Sequence, residues 1–370
     1  MGVDKQDRLV SGVRNLLFNC AQISPDQNLL IVHENAQEDH YDPGLVGDVF
    51  SAAKTLGMDP QLYEVAFEPD VKDPDPELSA MIGQADCTVF LARLGDQIRF
   101  RPNDMSGTQI ICYALDRDML ASDFGNADYR AFEALKHLIN AQLEAAQEIH
   151  VTCPAGTDVR GGGVVYPDEG GDVTIKRFPM SVFTPAPARE FTGRVAQVGF
   201  LVGTGSNYYL PYACKLSGTL LVNVDGNRIT DFDGTAEDVA AAHAHYDFVG
   251  EKYGIDPYFV HSWHAGIHPG CSYEQAASAN FGRWTGGAFG NPRLLHFHTC
   301  GQYAPGEISL NVVDPTVRAD GIAIWENGVL CPDRIEGGQA ILDQFPCAAR
   351  AFRTPAQNIG LGSGGRLSFN

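Results

Sequence analysis

Imidazole and carboxylate side chains crowd into one stretch of this sequence, Tyr258 to Asp314. It holds His261, His264, His268, His296 and His298, five of the eleven histidines in the chain, with Tyr303 and Glu307 close by. Neutral imidazole together with carboxylate suits zinc or ferrous iron, so these residue types point to a transition-metal site. The first three histidines lie in Tyr258-Phe-Val-His-Ser-Trp-His-Ala-Gly-Ile-His-Pro-Gly270. A glycine-rich passage, Phe281 to Gly290, leads to Leu294-Leu-His-Phe-His-Thr-Cys-Gly-Gln-Tyr303. Residues two apart on a strand face the same side, which lets His296 and His298 line one pocket.

The rest of the chain bounds what such a site can act on. A length of 370 residues favours two domains over a single core. With 44% hydrophobic and 19% charged residues, the composition is that of a globular protein. A formal net charge of −20 excludes the basic surface that nucleic acid or anionic lipid requires. No apolar run approaches the ~20 residues that span a bilayer, and Met1 to Arg8 lacks the apolar core of a signal peptide. Nine cysteines without paired spacing read as reduced thiols. These features predict a cytoplasmic protein acting on a small molecule, with neither nucleic acid nor membrane as partner.

The elements that must position the cluster follow from periodicity. Residues 8–23, 45–57, 77–84 and 132–148 read as helices, 28–33 as a strand buried on both faces, and 61–67, 86–92 and 109–114 as further strands. Strands alternating with helices predict an α/β domain over residues 1–150, built on a doubly wound parallel sheet. Its first strand is not followed by a glycine fingerprint, so dinucleotide binding is unsupported. His33, Glu34, Asp39 and His40 just beyond that strand are read as an exposed polar loop. From Glu148 onward strands and turns dominate, with a hairpin at Asp225-Gly-Asn227. One helix, Ala236 to Tyr253, interrupts them, and His243 and His245 on it are read as surface residues. Residues 151–330 are therefore expected to form a β-rich α+β domain that carries the site. Residues 331–370 are expected to form a C-terminal arm.

The order of these pieces resembles the aminopeptidase T and aminopeptidase S metalloprotease family and its relative 2,5-dihydroxypyridine 5,6-dioxygenase. The resemblance rests on Ala85-Asp-Cys-Thr-Val-Phe90, Val151-Thr-Cys-Pro-Ala-Gly-Thr-Asp158, Arg177-Phe-Pro179, Val222 to Gly234, Gly266-Ile-His-Pro269 and Thr316 to Gly321. It runs over about residues 25–330 and implies an α/β N-terminal domain, a metal-binding C-terminal domain and a homodimer. The metal ligands depart from the family pattern. Ser262 occupies the position where the aminopeptidases place a glutamate and the dioxygenase a histidine, with His261 and His264 on either side. His296 with Tyr303 keeps a family interval. Glu307-Ile-Ser309 stands where a His-x-Asp pair is expected, and residues 277–284 carry no carboxylate.

A two-zinc peptidase site needs several bridging carboxylates. What remains suits one ion held by two histidines and one carboxylate, with positions open for dioxygen and a chelating substrate. The expected ligands are His264, His296 and Glu307, with His261, His268 and His298 as alternates. Tyr303 and His298 are the expected proton carriers. Arg283 and Arg293 are candidates for holding a substrate carboxylate, and Trp263 for stacking on an aromatic ring. Cys271 and Cys300 read as packing residues, and Asp158 as a turn former. The expected activity is ring cleavage of a small hydroxylated (hetero)aromatic compound by an Fe(II) dioxygenase, with zinc or manganese as alternative ions. Metal-dependent peptide hydrolysis is the second reading. A member without metal is the third, argued from Ser262 and Ser309.

Overall fold

The structure, a computed structural model, describes residues 3–69, 71, 73–99, 107–166, 174–204, 209–302 and 305–369. It is a mixed α/β fold with a parallel sheet and a large antiparallel sheet. The chain forms two compact units. One comprises residues 1–133, 172–181 and 345–355, and the other residues 134–171, 182–344 and 356–370. Among the described residues no helix is long and apolar enough to cross a membrane.

The first unit is built on five parallel strands in the order Pro60–Val65, Leu29–Glu34, Cys87–Leu91, Thr108–Cys112 and Lys176–Phe178. Two strands, Leu29–Glu34 and Cys87–Leu91, are buried almost throughout, as strands covered on both faces must be. On one face Leu30, Val32, Phe90 and Ile111 pack against Leu78 and Ile82 of helix Pro76–Gln84 and Leu94 and Ile98 of helix Leu94–Ile98. Asp75 starts the first of these helices by accepting from the amides of Glu77 and Leu78, each at 2.9 Å. The fifth strand, Lys176–Phe178, comes from residues read from sequence as part of the other domain. Three residues are too few to show a period.

The reading of His33 to His40 as an exposed loop is corrected. Glu34 and His40 are buried, and Glu34 is the last residue of the first strand. Its carboxylate is held by the Arg93 guanidinium, with Nη2 donating to Oε2 at 2.8 Å.

The second unit carries an antiparallel sheet of twelve strands. Its site-bearing part is the run Thr192–Val202, Glu307–Val313, Leu294–Cys300, Val260–Ala265 and Ala186–Pro187. Helix Ala236–Tyr253 matches its expected bounds. Thr235 caps its start, and Gly254, in the left-handed region at φ 65°, ends it. His245 is buried rather than on the surface. It falls on the stripe Ala242, His245, Tyr246 and Val249, whose spacing turns it inward with the apolar residues.

Candidate metal centre

Two strand pairings build the site. Between Val260–Ala265 and Leu294–Cys300, Ser262 faces His298, Trp263 faces Phe297 and His264 faces His296. Between Leu294–Cys300 and Glu307–Val313, His296 faces Asn311 and His298 faces Ser309. Strand alternation then gathers Ser262, His264, His296, His298, Ser309 and Asn311 on one face of the sheet. Trp263, Phe297 and Leu310 go to the other face and are buried.

His264, His296 and His298 are all buried, and one ring nitrogen of each lies within 4.8 Å of the others. Nε2 of His264 is 2.6 Å from Nε2 of His296. Only one proton fits between two nitrogens at that distance, so at least one of them presents a lone pair to the cluster. Nδ1 of His264 faces the Phe183 carbonyl at 3.3 Å. Nδ1 of His298 is 2.8 Å from the Ser262 hydroxyl and 3.8 Å from Oε1 of Glu307. Phe289 lies over His296 with ring centres 4.2 Å apart and planes at 36°.

This arrangement fits a bound transition metal. Imidazoles that hold a metal through one nitrogen donate the other N–H to a carbonyl, hydroxyl or carboxylate, which fixes the tautomer and the ring. His264 has such a partner in Phe183, and His298 in Ser262. Two nitrogens sharing a tetrahedral ion with ~2.1 Å bonds stand about 3.4 Å apart, so the pair at 2.6 Å would part slightly on taking up an ion, inside a cluster that spans up to 4.8 Å. An all-imidazole set suits zinc, iron, copper or nickel.

Glu307 flanks the cluster. It is buried, its Oε2 accepts from the Thr204 hydroxyl, and its backbone carbonyl accepts from Tyr209 Oη at 2.9 Å. Burial pushes the Tyr209 phenol well above its ordinary range, which keeps it a hydrogen-bond donor. Thr204 was not legible beforehand. Its role depends on Ser309 pairing with Val202 in Thr192–Val202, which carries the following residues toward Glu307.

The structure brings together His264, His296 and His298, with Glu307 next to His298. The other candidates go elsewhere. His261 sits at a register irregularity between Val260 and Ser262, half-buried, and its Nε2 meets the Cys300 carbonyl at 2.8 Å. Burial pulls its pKa below the ordinary histidine value. His268 is buried in the following turn, where its Nδ1 accepts from the Gly270 amide at 3.2 Å. Trp263 packs edge-on against Phe183 at 5.5 Å, because its strand position points into the core. Arg293 is committed to Asp314, at 2.6 and 2.8 Å, and to the Gln357 carbonyl at 2.6 Å. Arg283 sits half-buried on helix Phe281–Gly287. Cys271 and Cys300 are buried, and burial pushes both thiols up to about 12, as packing residues require. Asp158 accepts from His150 at 2.7 Å in a strand pairing rather than shaping a turn. Tyr303 lies outside the described residues.

No protein-family model matches this sequence, and no curated protein matches it. Among solved structures, the chain is similar to 2,5-dihydroxypyridine dioxygenase from Pseudomonas putida KT2440. The TM-score is 0.57 at 15% identity, over 87% of this chain and 96% of that one. AmpT from Thermus thermophilus aligns with a TM-score of 0.47 at 10% identity, over 88% of this chain and 99% of that one. The likeness to the dioxygenase is one of fold.

Proposed function

We propose that this chain is a metal-dependent enzyme whose ion is held by His264, His296 and His298. We further propose that it opens the ring of a small hydroxylated (hetero)aromatic compound with dioxygen. The observation that carries the reading is the set of three buried imidazoles, two of them with Nδ1 facing an oxygen. The fold shared with a dihydroxypyridine dioxygenase favours oxygen chemistry over hydrolysis. A ferrous ion at these histidines would supply dioxygen activation and a Lewis acid for adjacent oxygen donors of the ring.

The protein's own part is positioning and proton handling. Ser262 and the Phe183 carbonyl fix two imidazole planes. The Phe289 ring covers His296 and keeps water from that side. Glu307, with Oε2 engaged by Thr204, has Oε1 on the His298 side to take a phenolic proton from the substrate.

The test is metal analysis followed by anaerobic ferrous reconstitution and oxygen uptake with dihydroxylated pyridines and phenols. About one iron per chain is expected, with uptake abolished in His264→Ala and His296→Ala. Two tightly held zinc ions, with no uptake but chelator-sensitive hydrolysis of aminoacyl anilides, would replace this reading with peptide hydrolysis. Activity unchanged in both histidine variants would remove the metal from the reading.

A further inference from the structure

The parallel sheet has a second cluster of buried charge, at the carboxyl ends of its strands. The strand order places the sheet's switch point beside Leu29–Glu34 and Cys87–Leu91, where open α/β sheets bind ligands. Part of this cluster is self-contained. Arg93 bonds Glu34 and Glu38 and lies 3.6 Å over the Phe67 ring.

The neighbouring part is not closed. Asp96, buried on helix Leu94–Ile98, accepts through Oδ1 from the Tyr113 hydroxyl at 2.7 Å and pairs through the same oxygen with Arg99. Its Oδ2 is also buried and has no hydrogen-bond partner among the described residues. Arg177 is buried as well, in register with Ile111, so it shares a sheet face with Ile111 and, two residues on, Tyr113. The Tyr113 amide donates to the carbonyl of Phe178 at 2.7 Å, which fixes the two segments together. Among the described residues no hydrogen bond or ion pair reaches the Arg177 side chain. Burial raises the Tyr113 phenol and Asp96 raises it further, while Arg99 and Arg177 pull against both.

A buried carboxylate oxygen without a partner is costly, and a ligand that meets the Arg177 guanidinium can satisfy it as well. We propose that this sheet end is a second ligand site, for a small oxyanion carrying a hydrogen-bond donor. Arg177 would grip the oxyanion with its planar fork, and Oδ2 of Asp96 would accept from the donor. A hydrogen phosphate and a hydroxycarboxylate share the required chemistry. Arg177 and Asp96 belong to the first compact unit and the three histidines to the second, so the site is independent of the proposed metal.

The test uses the full chain, with inorganic phosphate and lactate as probes and acetate and chloride at matched ionic strength as controls. The thermal midpoint is expected to rise saturably with phosphate or lactate, and the stronger probe identifies the source of the oxyanion. Arg177→Gln should abolish the rise. Arg177→Lys, which keeps the charge and loses the fork, should bind roughly tenfold more weakly. Should Arg177→Gln fail to fold, anomalous scattering from a selenate-soaked crystal reads the oxyanion half directly, with a peak expected at Arg177. No saturable rise with either probe, an equal rise in Arg177→Gln, or no selenate peak at Arg177 would overturn the proposal. A rise with acetate equal to that with lactate would overturn the part assigned to Asp96.

Discussion

Replacing Ser262 with alanine removes the oxygen 2.8 Å from Nδ1 of His298 without touching any of the three imidazoles. If that nitrogen is the outward one, its partner sets the ring plane and the basicity of the nitrogen that holds metal. Removing such a partner weakens metal binding by about ten- to a hundredfold, or about 1.4–2.7 kcal/mol. The structure selects the lower end of that range. Oε1 of Glu307 stands 3.8 Å from the same nitrogen and takes over part of the role once the hydroxyl is gone. Ser262→Ala should therefore lose roughly tenfold in affinity, and Ser262→Ala with Glu307→Gln close to a hundredfold. Ser309 provides the control. It faces His298 across the pairing, but its hydroxyl bonds Asn311 Oδ1 at 2.9 Å, so Ser309→Ala should stay within about twofold. The assay is competition for Zn(II) or Co(II) against a chromophoric chelator, with circular dichroism to confirm the fold. Unchanged affinity in Ser262→Ala, or an equal loss in Ser309→Ala, would refute the assignment of Nδ1 as the outward nitrogen.

Two further outcomes follow from the same unit. Burial holds His245 down to about 4, against an ordinary 6.5. As pH falls below 6.5 the unfolded chain takes up this proton and the folded chain does not, so stability present above 6.5 is lost down to about 4. The loss comes to about 3 kcal/mol at 1.36 kcal/mol per unit. Urea denaturation across that window should show this slope in the native sequence and a flatter one in His245→Leu; parallel curves would remove the assignment. Gly266→Ala would put a Cβ 2.2 Å from the Asn291 carbonyl oxygen, just beyond the strand that carries His264. It should destabilise the chain by about 1–3 kcal/mol and weaken metal binding as the strand end shifts. A variant with native stability and affinity would show that the backbone there gives way freely.

The elements were legible wherever short-range chemistry decides them. Helix Ala236–Tyr253 was expected at the bounds it has, where Thr235 and Gly254 cap it, and His296 and His298 share a strand face as their spacing of two implied. Which histidines meet was not legible, because it depends on the register between strands far apart in sequence. A slip of one residue in Val260–Ala265 would present His261 and Trp263 in place of Ser262 and His264. The role expected of Trp263 failed for that reason, and the clustering of His298 with His264 and His296 was only one of several open possibilities. Thr204 and the strand Lys176–Phe178 stayed hidden because each acquires its role from a pairing partner. Arg293 shows a different limit. An arginine suited to a substrate carboxylate is equally suited to Asp314, and only the fold shows which one it meets.

Charge bears on the choice of reaction. Carboxylate ligands neutralise a divalent ion, whereas three neutral imidazoles leave its charge intact. The carboxylate beside them, Glu307, stands 3.8 Å from Nδ1 of His298 and already accepts from Thr204. A centre of this kind gains most from a substrate that brings negative charge with it, as an ionised dihydroxypyridine or catechol does. A peptide amide is neutral and brings none. The positions Ser262 and Ser309, where carboxylate or imidazole ligands were expected, thus do more than thin out a ligand set. If the proposed ion is bound there, its uncompensated charge would favour phenolate-like substrates.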